Sequence, residues 1–166
     1  MCGISGIVHS ENIGRNLFNS IRNLEYRGYD SCGMAMLQQG ELDLRKNVGG
    51  IDEVNAIEKL DQMQGSIGIA HTRWATHGAP IECNAHPHVS KQQIAVVHNG
   101  IIENHQALKQ RLLGLGYEFV SDTDTEVIAH LFHHHWQQYQ DLQQVALACS
   151  AELEGAYAVA VLVNEQ

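Results

Sequence analysis

Apolar residues recur along this chain with two periods, and the switches between them mark its elements. Ile4, Gly6 and Val8 alternate with smaller neighbours, which predicts a strand over residues 2–9. Ile13, Leu17, Ile21 and Leu24 recur at helical spacing and predict a helix over 13–25. Residues 32–38 and 41–48 flank Gln39-Gly40 and read as a hairpin. Val54, Ile57 and Leu60 suggest a helix over 51–63, whereas 66–72 and 93–98 have the character of strands buried in a core. Residues 104–115 are helical and stop at Gly116, and 125–139 and 141–153 are two further helices. A strongly apolar strand over 156–163 follows. Strands at the start, middle and end, with helices in pairs between them, predict sheets covered by helices. The short turns between several strands predict antiparallel pairing. No internal repeat, low-complexity tract or Pro-rich linker divides the chain, so residues 1–166 form one domain on this reading.

Composition narrows the partners. Ten basic side chains against 19 acidic ones give a formal net charge of −9. That balance argues against a nucleic-acid partner, because phosphate binding needs clustered Lys and Arg. No basic amphipathic helix points to a membrane surface, and no apolar run approaches the ~18 residues of a membrane span. The N-terminus, MCGISGIVHSEN, has no basic residue before its apolar stretch and no small-residue cleavage site. A cytoplasmic protein is the simplest reading. Its four cysteines, Cys2, Cys32, Cys83 and Cys149, contain no C-x-x-C pair and are expected as free thiols. Burial as a small hydrophobe suits Cys149 and Cys32 and is open for Cys83. It suits Cys2 badly.

Cys2 carries a side chain small enough for removal of Met1, which would leave a thiol beside a free α-amine. The reference pKa of such an amine, ~7.7–8.0, lets it take the thiol proton directly or through a water. An N-terminal amine serves in this way for a threonine nucleophile, and a cysteine can use the same arrangement. Asn99-Gly100 follows an apolar strand and admits two readings. One is an oxyanion hole, built from the Asn side-chain N–H and a Gly backbone N–H. The other is a plain type I′ turn. Arg73, at the end of a buried strand, could hold an α-carboxylate bidentately, or could be half of a surface ion pair. Asp124 could hold an α-ammonium, or could cap the following helix, with Asp122 and Thr123 as competing caps and Glu126 closing a capping box.

Five stretches go further: EYRGYDS (25–31), HTRWATHG (71–78), NAHPHV (84–89), HNGIIENH (98–105) and SDTDTEV (121–127). In this order and over nearly the whole chain they resemble the class II glutamine amidotransferases, whose nucleophile is an N-terminal cysteine. Among these the stretches are most similar to the glutaminase domains of the glutamine–fructose-6-phosphate aminotransferases. The phosphoribosylamine-forming amidotransferases share the logic with different residues around the arginine and after Asn-Gly. The resemblance implies an α+β N-terminal-nucleophile sandwich, two antiparallel sheets between helical layers. It implies Cys2 as nucleophile and its α-amine as base, with Asn99 and Gly100 as the oxyanion hole. Arg73, assisted by Thr76 and His77, would bind the carboxylate of L-glutamine, and Asp124 its ammonium. Trp74 would start a loop that closes over glutamine, and Arg27 would lie on a loop that shields Cys2. The ammonia released would pass to a separate isomerase domain acting on fructose 6-phosphate, in a full-length homo-oligomeric enzyme of amino-sugar biosynthesis. The resemblance also implies that the glutamine half-reaction needs no metal or cofactor.

The chain also departs from the family. The isomerase half is absent, and the resembled domain runs on past a point like Gln166, so part of its sheet is expected to be missing. Position 32 is Cys where the family leads one to expect a small residue such as Ala. A chain that keeps Met1 has no α-amine on Cys2 and is expected to be inactive. Two rival readings come from other classes. An amidase for a different amide would lack an arginine matched to a free carboxylate. A non-catalytic metal-binding module would use His130, His133 and His134, spaced i, i+3 and i+4 on one helix. Against the metal, the neighbouring carboxylates complete no evident site, and helix-surface histidines are the better account. His86-Pro87-His88 is expected to shape the loop after Trp74.

Overall fold

A computed structural model describes residues 2–74 and 78–165. Seven strands and five α-helices are found among them, in the order β1 (Gly3–Val8), α1 (Gly14–Arg22), β2 (Ser31–Gln38), β3 (Glu41–Val48), α2 (Ile51–Glu58), β4 (Ile67–Arg73), β5 (His88–Ser90), β6 (Ile94–Gly100), α3 (His105–Gly114), α4 (Thr125–Tyr139), α5 (Leu142–Glu152) and β7 (Tyr157–Val163). The strands make two antiparallel sheets, ordered β1-β4-β2-β3 and β5-β6-β7.

Strand alternation builds three apolar layers. On β2, Cys32, Met34 and Met36 face α1 and α2, where they pack with Leu17, Phe18, Ile21, Ile51 and Val54. Ala35, one step out of phase, joins Ala95, Val97, Ile69 and Leu162 between the two sheets. On β6, Ile94 and Val96 turn the other way and pack with Leu112, Ile128, Leu131 and Val145 of α3, α4 and α5. The order is therefore helix, sheet, sheet, helix, as the family resemblance implies. Each fully buried Ile or Val in these layers stabilises the fold by roughly 1.5–3 kcal/mol.

Most boundaries fall within two residues of the sequence expectation, and the β2–β3 turn has positive φ at both Gln39 and Gly40, as a type I′ turn requires. Two helices are shorter than expected. The helix predicted over 51–63 stops at Glu58, because Lys59 is left-handed (φ 56°), and only a 3-10 turn over Leu60–Gln62 follows. Asn55 holds the break: its backbone oxygen accepts from the Lys59 N–H and its side chain from the Asp61 N–H. Ile57, counted on the apolar face, is in fact 66% exposed. The helix predicted over 13–25 ends at Arg22, and Glu25 begins a 3-10 turn whose carboxylate accepts from the Ile51 N–H at the start of α2. The three-residue strand β5 was not foreseen. Among the described residues no helix is long and apolar enough to cross a membrane.

This topology positions the site. β1 pairs with β4 so that Gly3 lies opposite Thr72, which brings the N-terminus beside Arg73. β6 ends at Asn99-Gly100 and α4 begins at Thr125, just after Asp124.

Candidate active site

A cavity of about 430 Å³ opens where these ends converge. Cys2, Arg27, Arg73, Trp74, Asn99, Gly100 and Asp124 line it together with Thr125 and three histidines. Of the site residues expected from the sequence, Thr76 and His77 lie outside the described residues; all the others meet here, from stretches up to 122 positions apart.

The Cys2 thiol is half-buried at the end of β1. Its sulfur accepts from the Trp74 N–H at 3.2 Å and lies 3.6 Å from the Trp74 oxygen. Trp74 itself is 47% exposed and meets Tyr29 edge to face. The approach of the Glu25–Arg27 turn depends on Gly28, where a Cβ would come within 2.7 Å of the Arg73 carbonyl carbon. Arg27 lines the cavity beside Cys2, with its Nε donating to the Tyr26 hydroxyl.

Asn99-Gly100 is not a hairpin turn. Both residues pair with β7 at the end of β6, and the chain runs on towards α3. The Asn99 amide donates to the Cys2 carbonyl oxygen at 3.1 Å. Gly100 has φ +122°, and a Cβ there would sit 2.2 Å from the Ala156 oxygen, so no other residue fits.

Asp124 does not cap α4 with its side chain. Its Oδ2 accepts instead from the Ile102 N–H at 2.8 Å, and Oδ1 lies 3.9 Å from His98 Nδ1. Glu126 makes no capping box there either. It folds the preceding loop by accepting from the Val120 N–H and from the N–H and hydroxyl of Ser121. Burial opposes its charge, yet these bonds and the His130 ring hold its carboxyl at about 2.

Arg73 is 4% exposed, which rules out a surface ion pair. Its guanidinium donates to the Gly78 and Ala79 oxygens at 3.3 and 3.4 Å. The same Ala79 oxygen accepts from Asn84, whose own oxygen accepts from the Asp122 N–H. Asn84 thus ties the loop held by Arg73 to the loop that carries Asp124. Asn84, His71, His86 and His98 were legible as motif letters but had no role assigned from the sequence, except that His86 was expected to shape a loop.

Burial disfavours charge on the histidines of this region. Burial lowers His71 to about 4 and drives His86 and His88 well below the ordinary imidazole value. Burial likewise lowers His98, against the pull of the Asp124 carboxylate. The two other thiols in question, Cys32 and Cys149, are buried and raised to about 12. The expectation of helix-surface histidines on α4 needs correction: His130 is buried, with Nδ1 on the Ser90 hydroxyl and Nε2 on the Glu118 oxygen. His133 bonds the Tyr117 hydroxyl, so the three histidines turn to different partners. Among the described residues no group of three His, Cys, Asp or Glu side chains is arranged to hold a metal ion.

Two helix-covered antiparallel sheets, with the site residues meeting at the strand ends, are the architecture of the N-terminal-nucleophile fold. Residues 71–166 match the glutamine amidotransferase domain, and the chain belongs to that family. The chain is 52% identical over 167 residues to the glutamine–fructose-6-phosphate aminotransferase (isomerizing) of Pseudomonas putida, covering 100% of this chain and 27% of that protein. It is 51% identical to the enzyme of the same name from Shewanella oneidensis, over 98% of this chain and 27% of the relative. The chain therefore spans about a quarter of the length of these curated relatives. In structure it matches the glutamine phosphoribosylpyrophosphate amidotransferase of B. subtilis, with a TM-score of 0.83 and 27% identity over 99% of this chain and 35% of that one. A regulatory enzyme of purine biosynthesis gives a TM-score of 0.84 at 28% identity, over 99% of this chain and 36% of that one. The higher identity favours the first kind of relative over the phosphoribosyl kind.

Proposed function

We propose that this chain hydrolyses the side-chain amide of L-glutamine to glutamate and ammonia. One observation carries the reading: Cys2, Asn99, Arg73 and Asp124 line one cavity, and the arginine and the aspartate are of opposite charge, as the two ends of a free amino acid are. After loss of Met1, the α-amine of Cys2 takes the thiol proton and the sulfur attacks the amide carbon. The negative oxygen that forms is stabilised by the Asn99 side-chain N–H and the Gly100 backbone N–H. On collapse the carbon–nitrogen bond breaks, and the α-ammonium returns its proton to the leaving ammonia. Water then cleaves the glutamyl thioester, giving glutamate and the free thiol. Arg73 holds the substrate carboxylate, assisted by Thr76 and His77, and Asp124 holds its ammonium. Trp74 and Arg27 close over the bound amino acid.

In a longer protein of the kind its relatives are, the ammonia would convert fructose 6-phosphate to glucosamine 6-phosphate on isomerase domains, in the cytoplasm and in a homo-oligomer. The glutaminase reading is tested by glutamate and ammonia release from glutamine, with wild type and Cys2→Ala. Activity in the first and none in the second is expected. Equal release by both would refute it.

A further inference from the structure

His71 reaches across from β4 in one sheet to β6 in the other, and it is fully buried. Its Nε2 lies 3.1 Å from the His98 backbone oxygen and 2.9 Å from Asn99 Oδ1. A backbone carbonyl can only accept, so Nε2 must carry the proton and donate to both oxygens. The Asn99 amide is therefore gripped by its oxygen, and its nitrogen has to point the other way, to the Cys2 oxygen 3.1 Å away. A flipped amide would set N–H against N–H at His71 and oxygen against oxygen at Cys2. The ring cannot swing out, since it stacks on His86 with centroids 4.2 Å apart. Among the described residues Nδ1 has no partner, so the imidazole keeps an unmet buried nitrogen while its single proton serves the Nε2 side. Burial also keeps the ring uncharged, with a pKa of about 4.

We propose that His71 is a positioning residue of the oxyanion hole: as a neutral Nε2–H donor it fixes the Asn99 amide with its N–H groups facing the Cys2 side. It acts through Asn99 and touches no reacting atom. This inference rests on the glutaminase reading above.

The experiment is a double-mutant cycle on glutamine hydrolysis. His71→Asn keeps a polar side chain but is too short to reach Asn99, whereas His71→Gln places an amide N–H near the position of Nε2. Expected for His71→Asn is a kcat about 10- to 100-fold lower with KM within about threefold, short of the ~100- to 1000-fold loss from deleting one oxyanion donor. His71→Gln should recover most of the loss. In an Asn99→Ala background, His71→Asn should cost less than about twofold, because the amide that His71 positions is gone. Full multiplication of the two losses, or a change confined to KM, would overturn the proposal. Nitrogen-15 NMR of the wild-type ring tests it without any variant: a neutral Nε2–H tautomer at pH 7 is expected, and an Nδ1–H tautomer would overturn it. Failure of wild type to hydrolyse glutamine sinks the glutaminase reading. Wild-type hydrolysis that His71→Asn leaves unchanged sinks only this inference.

Discussion

Asp124→Asn isolates the charge that the account assigns to the substrate ammonium. The substitution keeps size and shape, and the asparagine oxygen can still accept from the Ile102 N–H at the 2.8 Å position of Oδ2. Asp124 makes no side-chain cap to α4, so the helix start loses nothing. Burial lowers the pKa of the neighbouring His98, whose Nδ1 lies 3.9 Å from Oδ1, against the pull of the Asp124 carboxylate. A charge-assisted bond in such a closed site is worth roughly 1.5–3 kcal/mol. At 1.4 kcal/mol per tenfold, kcat/KM for glutamine should fall by about one to two powers of ten. The assay compares ammonia release from glutamine and N-acetylglutamine, with wild type and variant. Wild type should prefer glutamine strongly, and Asp124→Asn should lose most of that preference, with a thermal midpoint close to wild type. An unchanged preference in the variant, or hydrolysis of N-acetylglutamine as fast as glutamine by wild type, would refute the assignment.

Arg73→Lys should raise KM for glutamine by about tenfold or more and narrow the preference for glutamine over its methyl ester, since a point charge cannot replace the planar fork; steady-state kinetics with both substrates checks this. Glu126 carries a pH signature. Its folded pKa of about 2 lies below the ordinary 4.5, so its contribution is complete above pH 4.5 and lost as pH falls towards 2. Glu126→Gln should therefore cost roughly 2–3 kcal/mol of stability at pH 7, shrinking below pH 4.5, as denaturant melts across that range would read.

The elements of this fold were legible because burial and periodicity agree in them. Residues 94–97 are apolar throughout, which reads as a strand buried in a core, and Ile94 and Val96 indeed face one apolar layer and Ala95 and Val97 the other. The break at Lys59 was not, because a left-handed lysine held by Asn55 leaves no compositional mark. Strand β5 has three residues, too few for a period to register. At the site, Cys2, Arg73, Asn99 and Asp124 stood out by residue type and by the family motifs, and they line one cavity. The choice between a cap and a ligand for Asp124, or a turn and a strand end for Asn99-Gly100, was not. Those choices depend on Ile102 and Tyr157, partners supplied by the tertiary fold. The role of His71 was hidden for the same reason, since its target lies 28 positions away on the other sheet.

The central claim, a nucleophile at Cys2 activated by its own α-amine, is tested most directly by peptide mapping after treatment with a glutamine analogue bearing an electrophilic ketone. The account predicts one adduct, on a Cys2 that has lost Met1, suppressed by excess glutamine. Cys32 and Cys149, buried and raised to about 12, should stay unmodified. Labelling of Cys32, Cys83 or Cys149 with Cys2 untouched, or full glutaminase activity in protein that retains Met1, would contradict it.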